Sequence, residues 1–148
     1  LLSKAWGRTL KGFGRNSKEV ESMNEFTDTA WGAYEILSEG DNFQVKRLRI
    51  DPWCCMSYQR HWGRSENWNV VKGTLGFCLE GGDYDLESGD FLEVSTGSWH
   101  AAYNMTTSPV EVIEVWVGGD LREDDIERKP YTGVLLSHNW KYGRNDSN

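Results

Sequence analysis

The sequence predicts an all-β domain of the jelly-roll or small-barrel kind, and three observations carry that expectation. Eight Trp and 16 Gly in 148 residues favour aromatic-rich strands joined by tight turns, because glycine reaches the positive φ values that hairpins need. From Trp31 onward, short strand-like segments alternate with turn signals. Among those signals, "EGGDY" at Glu80 to Tyr84 reads as a hairpin of the Gly-Gly kind and "ESGD" at Glu87 to Asp90 as a second tight turn.

Taken in order, residues 1–28 mix Gly, Ser, Asn and charges without a sustained period, and read as an N-terminal arm with at most one short helix around Ser17 to Phe26. Strands are predicted near 32–37, 43–50, 55–61, 66–72, 74–80, 91–94, 99–105 and 110–117. The segment "VEVIEVWVGG" carries apolar side chains on both faces in its second half, as a central strand covered on each side does. "DLREDDIERKPY" reads as a polar loop or helical turn. The domain therefore spans 29–128, and 129–148 form a C-terminal extension ending in the frayed "KYGRNDSN".

The formal net charge of -7 and the pI near 5.0 argue against a nucleic-acid surface, which needs clustered Lys and Arg to replace the counterions along phosphates. No apolar run approaches the ~20 residues of a membrane span, and the first residues lack a secretory h-region, so a cytoplasmic protein is expected. Three cysteines, two of them adjacent as Cys54 and Cys55, make no disulfide framework and no zinc knuckle; buried, reduced thiols are the expectation. Parity with Gln59 places Cys55 at the edge of any pocket formed there.

Two stretches carry chemistry. In "QRHWGRSENWNVVKG", residues 59–73, Gln59 and His61 lie two apart and share one strand face, and a turn brings Glu66 back beside them from the next strand. In "GDFLEVSTGSWHAAYN", residues 89–104, a turn glycine, a strand and a second turn lead to His100. Only three histidines exist in the chain, and two of them fall at these places.

These stretches resemble the two motifs of the cupin superfamily, Gly-x5-His-x-His-x3,4-Glu-x6-Gly and Gly-x5-Pro-x-Gly-x2-His-x3-Asn. The chain has Gln59-x-His61-x4-Glu66-x6-Gly73 and Gly89-x5-Ser95-x-Gly97-x2-His100-x3-Asn104. Gln59 replaces the first His, Ser95 replaces the Pro, and the opening Gly is absent. A Gln at that first position, followed by Arg64, Ser65, Glu66, Trp68, Val70, Val71, Gly73 and Thr74, is similar to type II mannose-6-phosphate isomerases, specifically their C-terminal cupin domain. "AWGAYEILSEGDNFQVKRLRIDP" and "EVIEVWVGGDLREDDIER" resemble further blocks of that family, so that the likeness covers residues 30–128. Three departures stand out: the family's second His of His-x-His-Arg is Gly63, the Arg after the second-motif His is Ala101, and the closing Tyr-Gly-Arg that follows Glu-Asp-Asp-Ile is out of register, "KYGR" coming only at Lys141 to Arg144.

The resemblance implies a double-stranded β-helix, the cupin jelly-roll barrel, with a divalent metal ion held by Gln59, His61, Glu66 and His100. An amide oxygen, two imidazoles and a carboxylate suit a borderline ion, zinc first, with manganese, iron or nickel as alternatives. It also implies a sugar-phosphate isomerase that interconverts an aldose and a ketose. Arg64 is the expected partner of the substrate phosphate, Lys46 or Arg47 a second cation according to strand parity, and Glu114 or Glu93 the proton-moving carboxylate. The resemblance and the arm before Asp28 together imply a homodimer. The alternative is a non-catalytic carbohydrate- or small-molecule-binding cupin, favoured by Gly63 and Ala101. Trp62 and Trp99, adjacent in sequence to ligand positions, are expected on the opposite strand face, outside the site.

Overall fold

A computed structural model describes residues 25–141 of the chain. The anticipated helix around Ser17 to Phe26 lies almost wholly outside the described residues, as does all of the anticipated frayed end except Lys141. The strands are β1 (Thr27–Thr29), β2 (Gly32–Glu39), β3 (Phe43–Ile50), β4 (Gln59–Arg60), β5 (Arg64–Lys72) and β6 (Thr74–Leu79). They continue with β7 (Gly82–Glu87), β8 (Phe91–Val94), β9 (His100–Tyr103), β10 (Val110–Gly118) and β11 (Glu127–Arg128), and a single helical turn, α1 (Val134–Ser137), follows. They form two antiparallel sheets, one in the order β1-β2-β3-β10-β5-β8 and one in the order β11-β4-β9-β6-β7. This is the expected all-β jelly-roll barrel. Among the described residues no helix is long and apolar enough to cross a membrane.

The alternation of side chains along three neighbouring strands explains both core and cavity. Inward positions run Ile50, Leu48, Lys46 on β3; Val110, Val112, Glu114, Trp116 on β10; and Val70, Trp68, Glu66, Arg64 on β5, all of them buried. The register pairs Val110 with Ile50, Glu114 with Lys46 and Trp116 with Glu66, so the three inward rows change from apolar to ionisable at the same end of the barrel. At the apolar end Trp68 meets Phe77 edge to face, with ring centroids 5.2 Å apart, and Leu75 closes the layer from β6. Burying such side chains contributes roughly 1.5–3 kcal/mol each. The ionisable end stays open as a cavity.

A second apolar cluster lies on the other face of the five-stranded sheet. Cys55, Tyr58, Cys78, Ala101 and Tyr103 are covered there by Tyr131, Leu135 and Trp140, so the segment after β11 serves as a lid on that sheet. Trp140 Nε1 donates to Leu135 O at 2.7 Å and Tyr131 OH donates to Met56 O at 2.7 Å, which ties the segment down.

Four strands and one turn differ from the sequence expectation. The predicted strand 55–61 survives as an isolated bridge at Cys55 and as β4, because residues 56–58 leave the ladder. That break also cancels the inferred parity: Cys55 sits in the second cluster and not at the cavity. β7 runs across the space between the two expected turns; its polar sequence is that of an edge strand whose sole buried side chain is Leu86. β1 and β11 are short edge strands with no apolar alternation to reveal them. The hairpin before β7 turns on Glu80 and Gly81, both left-handed, rather than on the Gly-Gly pair.

Candidate metal centre

The site is assembled from three segments that the two sheets bring together. Glu66 projects inward from β5, His100 begins β9, and His61 follows β4 at its junction with β5. One ligand-type atom from each of His61, Glu66 and His100 lies within 4.8 Å of the others, and all three residues are buried. The register places Gln59 opposite His100.

Hydrogen bonds fix the histidine tautomers. His61 Nδ1 lies 2.6 Å from Asp125 O and His100 Nδ1 lies 2.9 Å from Ser98 O; because a carbonyl only accepts, each Nδ1 carries the proton. In the neutral rings each Nε2 then presents a lone pair toward Glu66, at 3.2 Å from Oε1 and 3.3 Å from Oε2. Burial depresses the pKa of His61, which favours the neutral ring. Two lone pairs facing a carboxylate repel unless a proton or a cation lies between them. Among the described residues the buried His100 Nε2 has no hydrogen-bond partner.

Glu66 is tightly held. Burial alone would raise its pKa, but the imidazoles of His100 and His61 when protonated, and the guanidinium of Arg64, outweigh burial and keep the carboxyl well below the usual carboxylate range. Arg64 Nε donates to Oε1 at 3.0 Å and Trp68 Nε1 donates to Oε2 at 3.0 Å, so each oxygen is oriented by one donor. Anchored imidazoles with outward Nε2 atoms, a carboxylate oriented by its own neighbours and an orphaned ligand nitrogen together fit a divalent metal ion.

The remaining sequence candidates fall as follows. Gln59 sits beside the triad with Nε2 3.4 Å from His61 Nε2, while its Oε1 accepts from Ser57 Oγ at 2.6 Å. The amide oxygen expected as a ligand thus faces Ser57, and a half-turn of the amide exchanges the two atoms. Strand parity is settled for the cations: Lys46 points into the cavity, and Arg47 pairs with Glu35 and Glu111 on the outer face. Parity likewise places Glu114 inside and Glu93 exposed outside. Burial first, and then the charge of Glu66, push the Glu114 carboxyl up to about 8 against the opposing pull of Lys46. Trp62 and Trp99 do not line the cavity; Arg60 stacks 4.5 Å from each of their rings.

Arg64, the expected phosphate partner, lines the cavity but already has partners there. Besides Glu66 it donates through NH1 to Arg122 O at 3.3 Å, its guanidinium lies 3.5 Å from the Trp116 ring centroid, and the residue is 4 % exposed. Lys46 lies 3.5 Å from the centroid of the same ring and pairs with the exposed Glu123 at 2.6 Å. The cavity has a volume of about 280 Å³ and also takes in Ser57 and Arg128.

The 118–126 loop was not expected to build the site, yet it closes one side of it. Asp125 accepts from the backbone amides of Trp62 and Gly63, at 3.2 and 2.8 Å, while its own carbonyl anchors His61. A Cβ on Gly63 would lie 2.3 Å from Asp120 Cβ, so this glycine is required by the close approach of the loop. Ala101 faces the second cluster, beneath the 131–140 segment. Neither of these two departures from the family pattern lines the cavity. The acidic run Glu123 to Asp125 was the available signal, but nothing local in the sequence pairs it with residues some sixty positions earlier.

Comparison with known proteins agrees with this architecture. A family model described as "Mannose-6-phosphate isomerase C-terminal" matches residues 15–130. The chain is 39% identical over 98 residues to the "Alginate biosynthesis protein AlgA" of Pseudomonas syringae pv. tomato, covering 66% of this chain and 20% of that protein. It is 36% identical over 98 residues to a mannose-1-phosphate guanylyltransferase of Escherichia coli K12, with 66% and 20% coverage. It therefore spans about a fifth of the length of these relatives. Among solved structures, an RmlC-like cupin from Shewanella frigidimarina superposes with a TM-score of 0.61 at 20% identity, covering 70% of this chain and 90% of that one, which supports the fold alone.

Proposed function

Because the chain belongs to the mannose-6-phosphate isomerase C-terminal family, we propose that it is a metal-dependent isomerase acting on a phosphorylated hexose, with zinc as the first candidate ion. The observation that carries this reading is the convergence of two Nδ1-anchored histidines, His61 and His100, on one buried carboxylate beside a small cavity that His61 and Glu66 line. Its volume of about 280 Å³ lies near the lower end for small-molecule pockets, typically ~300–1,000 Å³.

A divalent ion held by His61, Glu66 and His100, with Gln59 adjacent, would act as a Lewis acid on the sugar's C1 and C2 oxygens. Arg64 and Trp68 would hold the Glu66 carboxylate in place during that chemistry. We assign proton movement to Glu114. A carboxyl with its pKa raised to about 8 is matched to accepting and returning a proton near neutral pH. It would take the proton from C2 and return it at C1 while a hydroxyl proton shifts from O2 to O1, so that aldose becomes ketose with no net redox change. Burial around Glu114 and Glu66 keeps solvent from exchanging the transferred proton.

The binder alternative rested on Gly63 and Ala101, and neither side chain position faces the cavity, so neither loss removes a group from the reacting centre. The test pairs metal analysis of the purified protein with conversion of mannose 6-phosphate to fructose 6-phosphate. Zinc-dependent turnover supports the isomerase; bound metal without turnover of any hexose phosphate rejects it and leaves a binding protein.

A further inference from the structure

Three cationic side chains line the cavity, and their commitments differ. Lys46 is taken up by Glu123 at 2.6 Å, and Arg64 is buried and bound to Glu66 and to the Arg122 carbonyl. Arg128 alone is exposed at the rim. Its neighbour Glu127 points outward, where it makes two bonds to Arg60 at 2.9 and 3.0 Å. Alternation along β11, and pairing of Arg128 with Gln59, therefore turn the Arg128 side chain inward.

Among the described residues only one of its nitrogens is engaged. Arg128 Nε donates to Ser57 Oγ at 3.2 Å, and Ser57 Oγ donates on to Gln59 Oε1 at 2.6 Å. Among the described residues the two terminal nitrogens have no hydrogen-bond partner. The guanidinium is thus held at its root with its fork free, and a fork of this kind suits an anionic oxygen pair. The overall charge agrees: the cavity is lined by three cations and three carboxylates, Glu66, Glu114 and Glu123. These acidic groups at most balance the cations, so a divalent ion added to the set leaves a positive surplus that an anionic group offsets.

We infer that Arg128, positioned by Ser57, is the residue that selects a phosphorylated ligand over its neutral sugar, in place of Arg64. The inference rests on the sugar-phosphate reading of this cavity. It also links recognition to the metal end, because the Arg128–Ser57–Gln59 chain ends beside His61.

Calorimetric titration of the zinc-loaded protein with mannose 6-phosphate and with mannose tests it. Wild type is expected to prefer the phosphorylated sugar, and Arg128→Gln to weaken that ligand roughly 10- to 100-fold while leaving mannose unchanged, the scale of lost charged hydrogen bonds. Arg128→Lys is expected to recover part of the loss and Ser57→Ala to lose a few-fold, whereas Arg60→Gln on the outer face changes neither ligand. Equal mannose 6-phosphate affinity in Arg128→Gln and wild type overturns the assignment, as does a wild type that binds both sugars alike. Turnover separates the two readings. An Arg128-dependent preference without isomerisation rejects only the isomerase; turnover with an indifferent Arg128 rejects only this inference.

Discussion

Arg64 Nε donates to Glu66 Oε1 at 3.0 Å with both side chains 2 % exposed, so this cation is spent on orienting the carboxylate of the His61, Glu66 and His100 cluster. Removing it strands a buried carboxylate. Arg64→Ala is expected to lower unfolding stability by about 3–5 kcal/mol, as for other broken buried pairs, and Arg64→Lys to recover only part because the ammonium lacks the guanidinium fork. Urea denaturation of the metal-free proteins measures both.

Metal binding should register as stability. If the ion is held by His61, Glu66 and His100, saturating zinc at about 100 times its dissociation constant adds ~2.7 kcal/mol to the folded state. His100→Ala is expected to abolish that gain and bound zinc together, while His138→Ala, outside the cavity, leaves both intact. Thermal melts with and without chelator, alongside metal analysis, give the comparison.

Glu114 is expected to make the metal-free protein lose stability as the pH rises from acid to neutral. Its folded pKa, about 8, lies above the usual value of 4.5, so between those values the folded state holds a proton that the unfolded chain has released. Stability is then fully present below the unfolded pKa and is lost as pH rises toward the folded one, with a slope of up to ~1.4 kcal/mol per pH unit. Glu66 shifts the other way and acts only in acid, outside this window. Glu114→Gln is expected to flatten the decline between pH 5 and 8. An equally steep decline in the variant would show that the slope comes from another group.

Gly63 should resist every side chain. A Cβ there meets Asp120 Cβ at 2.3 Å and disturbs the amide that Asp125 accepts at 2.8 Å. Gly63→Ala is expected to cost about 1–3 kcal/mol by overpacking and, through displaced Asp125, to weaken zinc 10- to 100-fold. Gly63→His, which restores the family pattern, should be worse rather than better.

Much of this architecture can be read from the residues, and the exceptions share a cause. Strands with one buried face, such as β3 and β10, show their alternation directly, and the resemblance to the two cupin motifs picks out His61, Glu66 and His100. β7 and β11 bury almost nothing, so no periodicity betrays them. Asp125 and Arg128 matter through contacts made across more than sixty residues of chain, with Gly63 and Ser57. Strand parity could narrow Lys46 and Arg47 to a choice, but only the registered sheet decided it. Burial explains why Arg64, the expected phosphate partner, already has partners: a charge beside another ionised group is claimed by it before any ligand arrives.

The indole of Trp116 lies within 3.5 Å of both the Lys46 ammonium and the Arg64 guanidinium, and that of Trp68 is bonded to Glu66. These two chromophores sit in the electric field of the cavity itself. Any change in its charge, whether by ion, proton or phosphate, shifts their ultraviolet absorption and emission, so the barrel carries its own optical gauge of what it holds.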